Sequence, residues 1–138
     1  MKTAAEEWLT AARDDLETVS EILGNPRLTH VVAFHVQQCI EKGFKAVLEK
    51  YEGVVPNIHN LITLHGRVEK HLPVEANVDL DVLDRLNQLY IDARYPGERG
   101  LLPEGKPSEE EARRFFAFAE EVFEIIRHHV EKKSSVIT

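Results

Sequence analysis

Residues 30–52 read HVVAFHVQQCIEKGFKAVLEKYE, and this stretch decides the fold. At about 3.6 residues per turn it forms one long helix whose apolar side chains share a broad sector, which predicts contact with a hydrophobic core. That sector consists of Ala33, Val36, Ile40, Phe44, Val47, Leu48 and Tyr51. A second set of side chains, here called the polar stripe, lies within about a quarter turn on another side. The polar stripe is His35, Gln38, Lys42 and Lys45. It is either a solvated face or a ligand-binding surface.

Four further helices are predicted around this one. Apolar residues at helical spacing predict helices over residues 3–23, 61–72, 79–93 and 109–130. Their ends carry the expected signals: a capping box of Thr3 and Glu6, Thr29 as the cap of the central helix, Asn77 or Asp79 as a further cap, and Ser108 before the last helix. Short connections favour antiparallel neighbours. The predicted class is all-α, an up-and-down four-helix bundle with one additional short helix.

Length and composition limit the remaining possibilities. The chain has 138 residues, 43% of them apolar and 30% charged, which predicts one globular domain over residues 1–133 and a C-terminal tail over 134–138. The net charge of −7 argues against broad electrostatic binding to nucleic acid, although a local basic patch remains compatible with it. The single cysteine, Cys39, excludes an intrachain disulfide. A charged N-terminus and the lack of a long apolar run predict a cytoplasmic protein without membrane contact.

The motifs of common enzymes are missing. There is no glycine-rich phosphate loop and no metalloprotease or hydrolase motif. The histidine spacings suit no shared metal ion, so neither a metal nor a cofactor is expected. One further cluster, Arg94-Tyr95-Pro96, lies at a predicted helix end before the irregular stretch 98–107. Arg94 is able to bind a phosphate or carboxylate through two parallel hydrogen bonds, or else it neutralises its own helix terminus beside a packed Tyr95.

Four motifs, in order along the chain, resemble the HEPN domain family. The segment FHVQQCIEKGFKAVL, residues 34–48, is similar to the signature helix of that family. His59-Asn60-Leu61 resembles the His-Asp-Leu that follows it, and residues 93–96, Ala-Arg-Tyr-Pro, resemble the motif before the last helix. The opening pattern of residues 5–16 fits as well.

The resemblance implies an all-helical prokaryotic protein that forms homodimers. Many relatives are encoded beside a minimal nucleotidyltransferase and act with it as a toxin–antitoxin pair. Some relatives are metal-independent ribonucleases that carry an arginine, four to six residues, and then a histidine, whereas others bind nucleotides.

This sequence departs from the ribonuclease motif. Arg94 is followed by YPGERGLL, without a histidine at the required distance, and Arg67 precedes His71 by too few residues. Asn60 also replaces the usual aspartate. Arg94 remains a candidate for stabilising the charge of a phosphorane, and His35 or His59 is a candidate base if the fold brings it close.

Three hypotheses follow. In the first, the domain binds a nucleotide or RNA, or docks a nucleotidyltransferase partner, through a ligand-binding set. This set consists of His35, Gln38, Lys42, Lys45, Arg94 and Tyr95. In the second, it is a metal-independent ribonuclease that uses Arg94 and a histidine. In the third, it is a structural dimerising subunit without a ligand.

Overall fold

The computed structural model describes residues 2–94 and 105–132, without the side chain of Arg94. Five helices follow one another: α1 (Ala4–Ile22), α2 (Thr29–Glu52), α3 (Leu61–Val68), α4 (Leu80–Arg94) and α5 (Glu109–Glu131). Single 3-10 turns, Pro26–Leu28 and Glu69–His71, precede α2 and follow α3. No strand occurs within these ranges, and the predicted all-α class is confirmed. Tyr95, most of the 98–107 stretch and the predicted tail lie outside the described residues.

The four long helices run alternately up and down. The end of α2 lies beside the start of α1, and α4 reverses direction against both α2 and α5. These directions are fixed by contacts of Trp8 with Lys45, Asp15 with Lys42, Phe34 with Tyr90 and Arg85 with Glu111. Two surface clefts agree with them, one lined by both His30 and Ala93 and the other by both Asp79 and Arg114. The short α3 fills the connection between α2 and α4.

Most of the predicted helix caps are present. The Thr3 hydroxyl accepts a hydrogen bond from the Glu6 amide at 3.1 Å, and the Glu6 carboxylate accepts one from the Thr3 amide at 3.3 Å. Asp79 caps α4 by accepting from the Asp81 amide at 2.9 Å. Ser108 caps α5 by accepting from the Glu111 amide at 3.0 Å. These bonds satisfy amides that a helix start leaves without partners.

The predicted cap of the central helix is wrong. Thr29 lies within α2 as its first residue, and its buried hydroxyl oxygen has no hydrogen-bond partner. Helical winding begins earlier because Pro26 opens a 3-10 turn, and Asn25 caps that turn by accepting from the Arg27 amide at 2.9 Å. Proline suits the first position of a helical turn, since it lacks the amide that would need a partner.

Two further details differ from the prediction. Tyr51 is 42% exposed and does not join the core; its ring stacks on His71, with the ring centroids 4.9 Å apart. The helix predicted to reach residue 72 ends at Val68, and the chain tightens into a 3-10 turn before Pro73. Both sites lie where α2 and α3 end, and helix ends are the part of a periodic pattern that spacing determines least.

The core is built around α2. Its inward residues Val36, Ile40, Phe44 and Val47 are at most 1% exposed. Gly43 allows α5 to approach closely, because a Cβ atom at this position would lie 3.1 Å from Cδ1 of Ile126.

A lysine of α2 closes the far end of α5. The Lys50 ammonium donates hydrogen bonds to the carbonyl oxygens of His129 at 2.7 Å, Val130 at 3.0 Å and Lys132 at 2.7 Å. These carbonyls end a helix and have no intrahelical partners. The lysine therefore fixes the C-terminal end of α5 against α2.

None of the helices in the described ranges is long and apolar enough to cross a membrane.

Candidate ligand-binding surface

One buried carboxylate of α1 holds two members of the polar stripe. Asp15 is only 7% exposed. Its Oδ1 accepts a hydrogen bond from Nδ1 of His35 at 2.8 Å, and its Oδ2 accepts one from Nζ of Lys42 at 2.7 Å. The side chains of His35 and Lys42 are 26% and 27% exposed. These three residues, here called the Asp15 cluster, therefore present an imidazole and an ammonium group side by side at the surface.

A second carboxylate holds the remaining lysine of the stripe inside the protein. Glu41 accepts hydrogen bonds from Gln37 at 3.0 Å, from Lys45 at 2.9 Å and from Nδ1 of His59 at 3.0 Å. The side chain of Lys45 is 7% exposed, and its Nζ lies 5.7 Å from the centroid of the Trp8 ring. Glu41, Gln37, Lys45 and His59 are here called the Glu41 cluster. Only His59, whose side chain is 52% exposed, connects this cluster to solvent.

The hydrogen bonds of the Glu41 cluster keep its carboxylate ionised. Burial by itself raises the pKa of Glu41, but the hydrogen bonds from Lys45, Gln37 and His59 outweigh that effect. The pKa of Glu41 is therefore below its ordinary value of 4.5. A buried carboxylate that remains charged beside a buried ammonium forms a paired unit, and neither charge can be removed without leaving the other uncompensated.

An exposed aromatic ring lies beside the Asp15 cluster. Phe34 is 41% exposed, stacks on Tyr90 at 6.0 Å and places its ring 5.2 Å from that of His35, edge to face. On the other side, the ring of His59 lies 6.4 Å from that of Tyr90. The aromatic pair thus lies between two histidines that are each held through Nδ1 by a buried carboxylate. Phe34, His35, Gln38, Lys42 and Tyr90 are here called the α2 surface.

The predicted site residues are therefore distributed over both clusters. His35 and Lys42 are brought together by Asp15, whereas Lys45 belongs to the interior. Gln38 donates a hydrogen bond to the side-chain oxygen of Gln37 at 2.7 Å and so links the surface to the Glu41 cluster. Arg94 ends α4 about one helical turn beyond Tyr90, although its side chain and Tyr95 lie outside the described residues.

Sequence reasoning did not identify Asp15, Glu41 or Phe34 as parts of the site. A signal for Asp15 exists, since it lies three residues after Ala12 and four before Val19, a spacing at which the apolar stripe of α1 would continue. A charged residue at a core position needs a partner, and this requirement predicts a cation on the neighbouring helix. Within residues 2–94 and 105–132, no group of three or more potential metal-binding side chains is present.

The sequence model of the HEPN domain family matches residues 5–129 of this chain. This range covers both clusters and nearly all of the five helices. The chain belongs to the HEPN family. A comparison with curated proteins and one with solved structures gave no match. Membership of this family is consistent with a function that involves nucleotides or RNA.

The residues of the HEPN signature have physical roles in this fold. Gln37 and Glu41 of the central helix and His59 belong to the Glu41 cluster, and the bond of Glu41 to His59 ties α2 to the segment just before α3. Asn60 caps α3 by accepting from the amides of Ile62 at 2.9 Å and Thr63 at 3.1 Å. A side-chain oxygen is sufficient for this cap, so Asn60 caps the helix start as an aspartate would.

Proposed function

We propose that this HEPN domain binds a nucleotide or RNA through the α2 surface, extended by Arg94, the last residue of α4, and by Tyr95, the next residue in the sequence. In this proposal the domain is a homodimer and acts with a minimal nucleotidyltransferase as part of a toxin–antitoxin pair. One observation carries the proposed binding site: the exposed ring of Phe34 lies beside an imidazole and an ammonium group that share one buried carboxylate.

Each part of this arrangement suits a different part of a nucleotide. An exposed aromatic ring stacks on a base, a contact that contributes about 1–3 kcal/mol in single-stranded nucleic acid complexes. The Lys42 ammonium can donate three hydrogen bonds and uses one of them to bind Asp15, which leaves two for a phosphate. His35 adds a polar ring nitrogen between base and phosphate. Lys45 lies in the interior, so its role in the proposal is to support the surface and not to touch the ligand.

The charge of the chain limits the kind of binding that the proposal predicts. A net charge of −7 repels nucleic acid at long range, so a ligand is held by a few local contacts. Each phosphate contact contributes about −0.7 to the slope of log affinity against log salt for a single strand. A slope of about −0.7 to −1.4, equivalent to one or two phosphates, is expected.

The stacking contact is tested by a pair of aromatic substitutions on α2. Phe34→Ala removes the exposed Phe34 ring from the α2 surface. Tyr51→Ala removes a ring of nearly equal exposure, which is also stacked on a partner, at the other end of the same helix. Fluorescence anisotropy with a short labelled single-stranded RNA and with a labelled ATP analogue is expected to show about tenfold weaker binding for Phe34→Ala. Tyr51→Ala is expected to bind as the unmodified protein does.

Two results would contradict this proposal. Equal binding by both variants would remove the α2 surface from the site. Flat titrations with every nucleotide and RNA, together with a tight dimer in light scattering, would instead support a structural dimerising subunit without a ligand.

The partner is tested in the native host. The protein is tagged and purified at moderate salt. A nucleotidyltransferase is expected to co-purify with it in a fixed ratio. Recovery of the homodimer alone would contradict the proposed pair and leave the ligand-binding proposal to be judged by the anisotropy titrations.

The second candidate function is metal-independent cleavage of RNA. It is favoured by one observation: His35 and His59 are each held through Nδ1 by a buried carboxylate, which leaves Nε2 as the nitrogen able to take a ribose 2′-hydroxyl proton. Arg94 would stabilise the charge that develops on the phosphate. This function would be supported if the protein cleaves RNA in the presence of a chelator. The activity should also be lost in Arg94→Ala and in either His35→Ala or His59→Ala. Cleavage that survives all three changes would identify a contaminating nuclease.

A further inference from the structure

We infer that His35 recognises the 2′-hydroxyl of a ribose, so that the α2 surface binds RNA in preference to DNA, and that Asp15 is the positioning residue on which this preference depends. The inference rests on the proposed binding function and assigns its chemical selectivity. It uses only the Asp15 cluster.

The first step concerns the hydrogen atoms of the His35 ring. An ionised carboxylate only accepts hydrogen bonds, so the bond of 2.8 Å between Asp15 and Nδ1 is donated by the imidazole. In the neutral ring, the hydrogen is then on Nδ1, and Nε2 is an acceptor. In the part of the chain that the structure describes, Nε2 of His35 has no hydrogen-bond partner and is not enclosed. His35 therefore presents an unused acceptor at the surface.

The second step concerns what lies next to this acceptor. Nδ1 of His35 and Nζ of Lys42 bind the two oxygens of the same carboxylate, at 2.8 and 2.7 Å, so the His35 ring and the Lys42 ammonium lie side by side at the surface. A ribonucleotide offers the complementary pair, since its 2′-hydroxyl is a donor close to an anionic phosphate. DNA keeps the phosphate but lacks this hydroxyl, which is the group that allows a protein to distinguish the two nucleic acids.

The third step concerns Asp15 itself. The side chain of Asp15 is 9% exposed and lies on the packed side of α1, so it is held in place and is not available to the ligand. Its charge also acts on Cys39: burial, and after it the charge of Asp15, raise the pKa of the Cys39 thiol to about 12. Cys39 therefore remains a neutral thiol. The negative charge of Asp15 offsets the positive charge of Lys42, so selectivity comes from hydrogen bonding and not from net attraction.

The test begins with the unmodified protein. Three short single-stranded oligonucleotides of one sequence, with ribose, 2′-deoxyribose or 2′-O-methyl ribose, are titrated by fluorescence anisotropy. The ribose form is expected to bind about three- to tenfold more tightly than the other two, since each of these lacks the donor and a neutral hydrogen bond contributes about 0.5–1.5 kcal/mol. Equal binding of all three would overturn the inference and leave the proposed function standing. No binding of any of them, together with no binding of the labelled ATP analogue, would overturn both.

A matched pair of substitutions then tests Asp15. Asp15→Asn removes the carboxylate that fixes the ring, whereas Asp14→Asn makes the same chemical change at the adjacent, exposed position. In Asp15→Asn the preference for ribose is expected to fall below about twofold. In Asp14→Asn it is expected to persist. A preference that persists in a folded Asp15→Asn protein would overturn the role of Asp15.

A measurement on the unmodified protein covers the case in which Asp15→Asn fails to fold. The ¹⁵N chemical shifts of the His35 ring distinguish a protonated Nδ1 from a protonated Nε2, and a purely structural role would not make Nε2 respond to the ligand. We expect a neutral ring that is protonated on Nδ1. Its Nε2 signal is expected to move on addition of the ribose oligonucleotide but not of the deoxyribose one. A ring protonated on Nε2 would overturn the inference.

Discussion

Lys42 and Lys45 are three residues apart on one helix, and each forms an ion pair with a carboxylate, yet they are in different environments. The side chain of Lys42 is 27% exposed, and that of Lys45 is 7% exposed. The difference comes from the partners. Asp15 reaches Lys42 from α1 at the edge of the bundle, whereas Glu41 holds Lys45 beneath His59 and beside Trp8. Helical spacing thus places the two lysines on one side of α2, and the neighbouring helices decide how deep each one lies.

This difference separates binding from stability. The Asp15 cluster has solvent on one side, so a ligand can bind its imidazole and ammonium while the carboxylate stays in place. The Glu41 cluster is enclosed except at His59, and removal of one of its charges leaves another charge buried without a partner. We therefore expect substitutions in the Glu41 cluster to act on folding and those in the Asp15 cluster to act on binding.

The largest expected effect is that of Glu41→Gln. This change keeps the size of the side chain but leaves the buried Lys45 ammonium without an anionic partner, so the free energy of unfolding should fall by about 3 kcal/mol. Urea denaturation followed by circular dichroism measures it. Glu17→Gln, at an exposed position of α1, is the control and should lie within about 0.5 kcal/mol of the unmodified protein. Equal stability of the two variants would show that the Glu41 cluster is not a buried ion pair in solution.

The next effect compares the two lysines directly. Lys45→Met should lower the free energy of unfolding by about 1–3 kcal/mol, because Glu41 loses a buried partner while it keeps the bonds from Gln37 and His59. Lys42→Met should lower it by less than about 1 kcal/mol, since partly exposed pairs contribute little. Urea denaturation of both variants measures the two losses of stability. A loss for Lys42→Met as large as that for Lys45→Met would remove the distinction between the clusters.

The smallest expected effect is a dependence on pH. Because the folded protein holds the pKa of Glu41 below its ordinary value of 4.5, the unfolded chain binds this proton more readily. The stabilisation from ionised Glu41 is present above that ordinary value and is lost as the pH falls through the folded pKa. The difference in stability between the unmodified protein and Glu41→Gln should therefore shrink below about pH 4.5. A difference that stays constant from neutral to acidic pH would contradict this assignment.

The sequence was sufficient for the fold because the fold depends on local signals. Periodic apolar residues placed all five helices, and Thr3 and Ser108 marked two helix starts. For the start of α4 the sequence left Asn77 and Asp79 as alternatives, and Asp79 is the cap. The start of α2 was misplaced because two adjacent signals compete there: Thr29 is a good cap, but Asn25 and Pro26 begin the winding a turn earlier. The motifs around Glu41 and His59 also indicated the family, whose model matches residues 5–129. In the structure these two residues are hydrogen-bonded to one another.

The site could be predicted only in part because it depends on contacts between distant residues. The spacing of the polar stripe predicted that His35 and Lys42 lie on one side of α2. Their shared partner Asp15 could not be predicted in this way, because it is 20 residues from His35 and 27 from Lys42. The alignment of α1 against α2 decides which of their residues face one another. This alignment follows from packing and not from the sequence of either helix alone. The burial of Lys45 is a consequence of the same packing, and so is the stacking of Phe34 on Tyr90.

The central claim is that the Asp15 cluster faces the ligand. It is tested most directly by the affinity of Lys42→Met for a short single-stranded RNA, measured by anisotropy beside Lys70→Met. Lys70 is 69% exposed and pairs with Glu52 in another part of the surface, so its substitution makes the same change of charge away from the site. About tenfold weaker binding is expected for Lys42→Met, as for the loss of one charged phosphate contact, with no change for Lys70→Met. Equal affinity of both variants and the unmodified protein would contradict the account.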